Sequence, residues 1–95
     1  MKINTKTLIK DVSGKPLPTQ EGDLTLGVVI GNILFSDESI GKLKGYTLGM
    51  KFYQEEEVDV DEADLQAVKK AIETTRVFPS NLITGQALSI INNLK

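Results

Sequence analysis

The sequence contains no cysteine and no histidine. Without cysteine there are no disulfides and no thiolate chemistry, and nothing indicates an oxidising compartment. Without histidine the chain lacks the commonest general base, the commonest zinc ligand and the usual pH switch. A serine or threonine nucleophile needs an activating base, which here only a lysine could supply. We therefore expect a protein that is not an enzyme and that carries no metal and no cofactor.

The sequence also lacks an excess of basic residues and any long apolar run. The net charge is −2 and the pI is about 5.0, whereas a nucleic-acid-binding protein usually has a basic face. The longest apolar stretch, residues 24–35, is too short to span a bilayer. Residues 1–10 have lysines but no apolar segment of the signal-peptide type. We expect a cytoplasmic protein without nucleic-acid or membrane partners.

The length allows one domain, residues 1–95, with a thin core. Oligomerisation is a common way for so small a domain to bury more apolar surface. We therefore expect a homo-oligomer.

The first ten residues alternate apolar and polar side chains. Ile3 and Ile9 fall on one side and the lysines on the other, which predicts a strand with one solvated face. A turn cluster at residues 11–15 follows. Residues 16–18 are the candidate return strand of a hairpin, and their prolines would confine it to a sheet edge.

Residues 26–35 fit two structures. Thr25 is a good N-cap, and apolar residues follow it at three- and four-residue steps, which favours a helix. Two glycines and several β-branched residues lower helix propensity, so a buried strand is the alternative. Gly27 and Gly31 have the spacing that lets two helices approach closely, within one subunit or between subunits.

Three more helices follow from apolar periodicity. The first covers residues 40–53. A short strand at 58–60 then leads into a helix that Asp61 caps and that ends near Arg76. Ser80 or Asn81 caps the last helix, whose apolar face extends from residue 82 to 94. The predicted apolar face of the first of these helices comprises Ile40, Leu43, Tyr46, Thr47, Met50 and Tyr53.

These elements predict an α+β fold, in which an N-terminal β-hairpin is followed by about four packed helices. The predicted core comprises Ile3, Ile9, Leu26, Ile30, Ile33, Leu43, Met50, Leu65, Val68, Ile72, Leu82, Ile90 and Ile91.

Seven acidic residues and no basic residue lie between positions 55 and 64. Glycosidase-type chemistry needs two acids in different environments, whereas adjacent exposed acids stay ionised. An EF-hand loop counted from Asp59 would need a glycine at its sixth position and a glutamate at its twelfth, where this chain has Asp64 and Lys70. The run predicts a solvated loop and a helix start rather than a catalytic or metal site.

The single arginine is the leading candidate for ligand binding. Arg76 precedes a predicted helix start, and such a pairing can hold a phosphate or a carboxylate. The plainer interpretation is an exposed charge at a helix end. Tyr46, Phe52 and Tyr53 could add a stacking surface, although aromatic residues are more often part of a core. The candidate binding residues are Arg76, Lys69, Thr75, Ser80, Asn81, Tyr46 and Tyr53.

The order of segments resembles that of small accessory proteins encoded by bacteriophages and prophages. The residues that carry the resemblance are the opening MKINTKTLIKDVSGKPL, the step Thr25-Leu26-Gly27, the helix from Lys42 to Tyr53, DEADLQAVKKAIE and NLITGQALSII. The resemblance extends over nearly the whole chain but is one of pattern, and no catalytic residue follows from it. It implies a phage accessory protein, which would act in the host cell cytosol.

Two functions fit this resemblance. One is a non-catalytic binding protein that antagonises a host process such as bacterial defence. It would sequester a nucleotide-like signal, a small anionic molecule, or block a host protein. The other is a virion-assembly or structural accessory protein, whose amphipathic helix would lie in a partner's groove.

Overall fold

The computed structural model describes residues 2–19, 22–78 and 80–93. It confirms the α+β class and the four helices. The strands are β1 (Lys2–Asn4), β2 (Pro18–Thr19), β3 (Gly22–Asp23) and β4 (Glu57–Asp59). The helices are α1 (Leu26–Ser36), α2 (Lys42–Gln54), α3 (Glu62–Thr74) and α4 (Asn81–Asn92), with a 3₁₀ turn at Glu38–Ile40 before α2.

The first strand has a partner that the sequence did not indicate. β1 pairs antiparallel with β4, and Ile3 lies opposite Val58, with both side chains buried. The predicted hairpin is present in a smaller form, because the Leu17 N–H donates to the Ile9 carbonyl at 2.9 Å. The N-terminal segment is therefore attached both to its own turn and to a segment more than fifty residues later.

Helix α1 is the centre of the fold, and the helical interpretation of residues 26–35 is confirmed. It begins where the Thr25 hydroxyl accepts from the Val28 N–H at 3.3 Å. It packs against α2, α3 and α4, while α3 also packs against α4. Burial on several sides explains its continuous apolar sequence, because a helix that contacts neighbours all round needs no polar face.

Glycines bring α1 and α2 close together. A Cβ atom on Gly31 would lie 3.1 Å from the Gly49 carbonyl oxygen, and one on Gly45 would lie 2.9 Å from the Leu34 carbonyl oxygen. Both distances are too short for comfortable packing of a side chain, so the two backbones approach each other as only small residues permit. The glycine spacing in α1 thus serves packing within the chain.

The prediction that the apolar face of α2 belongs to the core is wrong. Leu43 is 79% exposed and Tyr46 is 60% exposed, and Met50 is half-buried. The buried residues are Gly45, Leu48, Gly49 and Phe52, which lie on the opposite side of the helix. The three-and-four periodicity was real, but the side with the larger side chains faces solvent.

The last two helices begin as predicted. The Asp61 carboxylate accepts from the Asp64 N–H at 2.7 Å, and the Ser80 hydroxyl accepts from the Leu82 N–H at 3.2 Å. Gln86, which lies within the range predicted for the apolar face of α4, hydrogen bonds the backbone N–H and carbonyl of Lys10. α4 is thereby joined to the N-terminal loop. Leu94, predicted on the same face, lies outside the described residues.

The predicted core is otherwise mostly confirmed. Leu82 and Ile90 are half-buried rather than buried. The predicted residues that are fully buried are Ile3, Ile9, Leu26, Ile30, Ile33, Leu65, Val68, Ile72 and Ile91.

Candidate functional site

A groove of about 480 Å³ contains the leading candidate, Arg76. It lies between the C-terminal end of α1 and the segment that follows α3. Helix α3 stops at Thr74 because Thr75 turns into extended backbone, and the Thr75 hydroxyl accepts from the Val77 N–H at 3.1 Å. Within the described part of the chain, the Arg76 side chain forms no hydrogen bond or ion pair, so its guanidinium is available to a ligand.

The charges around this groove oppose a small anion. Asp37 and Glu38 line it together with Arg76. The C-terminal ends of α1 and α3 also meet there, and a helix C-terminus carries a partial negative charge. The groove therefore combines one guanidinium with two carboxylates and two helix C-termini, all four of which repel an anion. This arrangement suits a ligand that is cationic, or that carries charges of both signs, better than a phosphate.

The structure separates the predicted binding residues. Arg76 and Thr75 lie in one groove, but Lys69, Ser80 and Asn81 do not line it. The Ser80 hydroxyl is occupied as the N-cap of α4. The two tyrosines, Tyr46 and Tyr53, lie on α2 and do not line this groove either. Of the predicted binding residues, the groove thus brings together Arg76 and Thr75.

The tyrosines belong to a different feature, an apolar stripe on the solvent side of α2. We call it the outer stripe, and it comprises Leu43, Tyr46, Met50 and Tyr53. Its residues repeat at steps of three, four and three, which places them along one side of a helix. Three of them are large and well exposed: Leu43 at 79%, Tyr46 at 60% and Tyr53 at 44%.

Phe35 extends this stripe onto α1. It is 42% exposed, and its ring centroid lies 6.3 Å from that of Tyr53, with the two planes tilted by 42°. Phe35 also lines an open groove of about 440 Å³ with Lys42, Tyr46 and Met50. The stripe and this groove form one continuous apolar surface with a lysine at its edge.

One of the three lysines of α2, Lys42, borders the outer stripe. The helix contains Lys42, Lys44 and Lys51 and no acidic residue. Lys44 forms an ion pair with Asp64 at 2.7 Å, and this contact raises the Lys44 pKa above its ordinary value. Within the described ranges, Lys42 and Lys51 have no such partner. Lys42 is thus free to contact whatever covers the stripe, whereas Lys51 lines a separate cleft with Thr47, Leu48 and the Lys44–Asp64 pair.

One serine–lysine pair has nucleophile-like spacing. Ser39 and Lys42 stand three residues apart, in the S-x-x-K order of lactamase-type enzymes. The Ser39 hydroxyl, however, donates to the Asp37 carboxylate at 2.6 Å, within the short turn that Asp37 caps. The serine is used locally, and the pair does not form a nucleophile with its base.

Sequence reasoning missed Phe35 and Lys42 as parts of this surface. The signal was present, because α2 has apolar residues on two sides: glycines with Leu48 and Phe52 on one, and the stripe on the other. A helix with two apolar sides that packs against its neighbours on one side only must expose the other. The side with the glycines is the buried one, because it can approach another backbone closely.

No family model matches the chain, and no curated protein and no solved structure matches it. In the described part of the chain no helix is long and apolar enough to cross a membrane, and no group of three or more acidic side chains could hold a metal ion.

Proposed function

We propose that the protein is a phage-encoded, non-catalytic binding protein that antagonises a host process, bacterial defence in the first place, by occupying the surface of a host protein. The observation that supports this proposal is the outer stripe of α2 with Phe35. Contiguous exposed apolar residues are uncommon on proteins without partners and mark interaction surfaces. Tyrosines in particular are enriched where binding energy is concentrated.

The inventory of polar groups supports binding rather than catalysis. Among the described residues the only buried polar or charged side chain is Thr5. Its hydroxyl hydrogen bonds the carbonyl oxygens of Glu55 and Glu56, which fixes the start of β4. Catalytic acids and bases usually lie in clefts, and among the residues that the structure describes no acid or lysine is buried.

Sequestration of a small anionic signal is a second version of this function. The partner-free guanidinium of Arg76, in its groove, supports it. Asp37 and Glu38 line the same groove and would repel a phosphate. We therefore place docking on a protein ahead of sequestration.

A role in virion assembly is a further candidate, because the outer stripe would serve an assembly partner equally well. The position of the gene distinguishes the two. Neighbouring head or tail genes would favour assembly, and an early accessory locus would favour host antagonism.

A phage-challenge assay tests the proposal and separates its versions. The chain is expressed in bacteria that carry individual defence systems, and plaque formation by a sensitive phage is counted. We expect the wild-type chain to restore plaques against at least one system, and Tyr46→Asp to abolish this effect while Arg76→Ala retains it. Val12→Asp is the control, because Val12 is 92% exposed and lies in the distant turn at residues 11–15.

If Arg76→Ala no longer restores plaques while Tyr46→Asp still does, the binding site is the groove around Arg76 rather than the outer stripe. No restoration against any system tested, together with incorporation of the chain into phage particles, would contradict host antagonism and support assembly.

A further inference from the structure

The spacing of the outer stripe is symmetric along α2. Leu43, Tyr46, Met50 and Tyr53 follow one another at steps of three, four and three residues. This order of steps is the same from either end of the helix, and it is the a-d-a-d pattern of a helix that packs into another helix. A second α2 that runs in the opposite direction therefore presents the same set of side chains at matching heights.

We infer that the outer stripe binds a second copy of the chain, with the two α2 helices antiparallel about a two-fold axis. In this arrangement Leu43 of one copy lies opposite Tyr53 of the other, and Tyr46 lies opposite Met50. Each layer thus pairs an aromatic ring with an aliphatic or sulfur-containing side chain, and contacts of methionine sulfur with rings are favourable. A two-fold contact is self-complementary and closes on itself, so it gives a dimer rather than an open chain of subunits.

The position of Lys42 favours antiparallel over parallel packing. Lys42 stands at the N-terminal end of α2 and lines the groove with Phe35. Parallel helices would place the two Lys42 side chains next to each other, whereas antiparallel helices separate them by about 18 Å along the axis. The Lys42 of one copy then reaches the level of the Phe35–Tyr53 ring pair of the other, and an ammonium group is attracted to an aromatic face. Antiparallel helices also bring ends of opposite partial charge together.

The exposed area of this surface is enough for a weak dimer. The exposed fractions are 79% for Leu43, 60% for Tyr46, 44% for Tyr53 and 42% for Phe35. At about 200 Å² for each whole side chain, these fractions leave about 450 Å² open in each copy. With the edges included, a pair buries roughly 1,000 Å², the lower limit of specific interfaces, and we expect a Kd on the order of 100 μM. At low micromolar concentration the chain is then monomeric and the stripe is open.

The two-fold contact would regulate the surface that the proposed function assigns to a host protein, and in this respect the inference rests on that proposal. A second copy and a host protein compete for the same stripe. At low concentration the free chain is available to the host protein. At high concentration the dimer covers an apolar surface that would otherwise favour aggregation.

Sedimentation equilibrium tests the inference at concentrations from about a tenth of the expected Kd to about ten times it. We expect the mass to rise from one chain to two and no further. Tyr46→Asp places a carboxylate at the centre of the contact and should raise the Kd at least about tenfold. Val12→Asp is the matched control, because Val12 is 92% exposed in the distant turn, and it should leave the Kd within about twofold. Circular dichroism verifies that each variant is folded.

Disulfide formation between single-cysteine variants determines the direction of the helices, since the chain has no cysteine of its own. Leu43→Cys and Tyr53→Cys are oxidised separately and as an equal mixture, at the highest concentration of the sedimentation series. We expect a cross-linked dimer in the mixture only. Antiparallel helices place position 43 opposite position 53 of the second copy. Two copies of position 43 lie about 15 Å apart along the axis, whereas a disulfide needs Cα atoms within about 7 Å. A mixture of Leu43→Cys with Val12→Cys is the control and should not cross-link.

A mass of one chain at every concentration, or a dimer that Tyr46→Asp leaves intact, would overturn the inference. Faster cross-linking of Leu43→Cys with itself than with Tyr53→Cys would overturn the antiparallel arrangement. A dimer with the expected properties, in a chain without any effect on phage growth, would contradict host antagonism and leave this inference intact. Plaque restoration by a chain that stays monomeric would do the reverse.

Discussion

Replacing Gly27 by alanine is expected to lower the free energy of unfolding by about 2–3 kcal/mol. A Cβ atom at this position would lie 2.4 Å from the Phe52 carbonyl oxygen and 2.6 Å from the Thr5 Cβ. Both are parts of the packed framework, so neither can move without separating α1 from α2 or from the N-terminal segment. In a domain of this size such a loss corresponds to roughly 10–20 °C in Tm.

The matched control is Gly85→Ala. Gly85 is an exposed residue within α4, and a Cβ atom there would have no neighbour within 4 Å. Alanine should raise the free energy of unfolding by about 0.5–1 kcal/mol, since it restricts the unfolded chain and favours the helix. Urea denaturation of the two variants measures both effects. Equal destabilisation by the two substitutions would contradict the close helix crossing.

Phe52→Ala should have the largest effect of any single truncation on α2, about 3–5 kcal/mol. Phe52 is 1% exposed and is the largest of the fully buried side chains. Tyr53, its neighbour in sequence, is 44% exposed and contacts Phe35 at the surface. Tyr53→Ala should therefore cost only about 1 kcal/mol, of which the aromatic contact is a part.

Chemical denaturation of both variants measures this difference directly. A cost for Tyr53→Ala equal to that for Phe52→Ala would mean that α2 is rotated about its axis and that the outer stripe is part of the core.

Much of the fold could be predicted because its signals are local. The caps at Thr25, Asp61 and Ser80 each mark a helix start through a hydrogen bond within three residues. The pairing of β1 with β4 could not be predicted, because it joins two three-residue strands distant in sequence and depends on how α1 and α2 place them. Short strands carry too little pattern to identify their partners.

The orientation of α2 was predicted incorrectly for a physical reason. Periodicity shows that apolar residues share one side of a helix, but it does not show which side is buried. Two orientations of α2 are possible: one buries Leu43 and Tyr46, and the other lets the backbone approach α1 closely at Gly45 and Gly49. The structure has the second orientation.

The candidate site was predicted in part. Arg76 and Thr75 do share a groove, but the acidic side chains that join them come from the end of α1, about forty residues earlier. Core positions were the favoured interpretation of Tyr46, Phe52 and Tyr53, and this is right only for Phe52, because both tyrosines lie on the exposed stripe. Lys42, which lies at the edge of this surface, was not identified, because its significance depends on which side of α2 faces solvent.

Thiol labelling tests most directly whether α2 packs by its glycines and leaves the outer stripe free. Because the chain has no cysteine, the variants Leu43→Cys and Leu48→Cys each carry a single thiol. We expect the thiol at position 43 to react with iodoacetamide at the rate of an unstructured peptide. The thiol at position 48, where leucine is 6% exposed, should be slowed at least about tenfold by the cost of local opening. Equal rates, or faster reaction at position 48, would contradict the account.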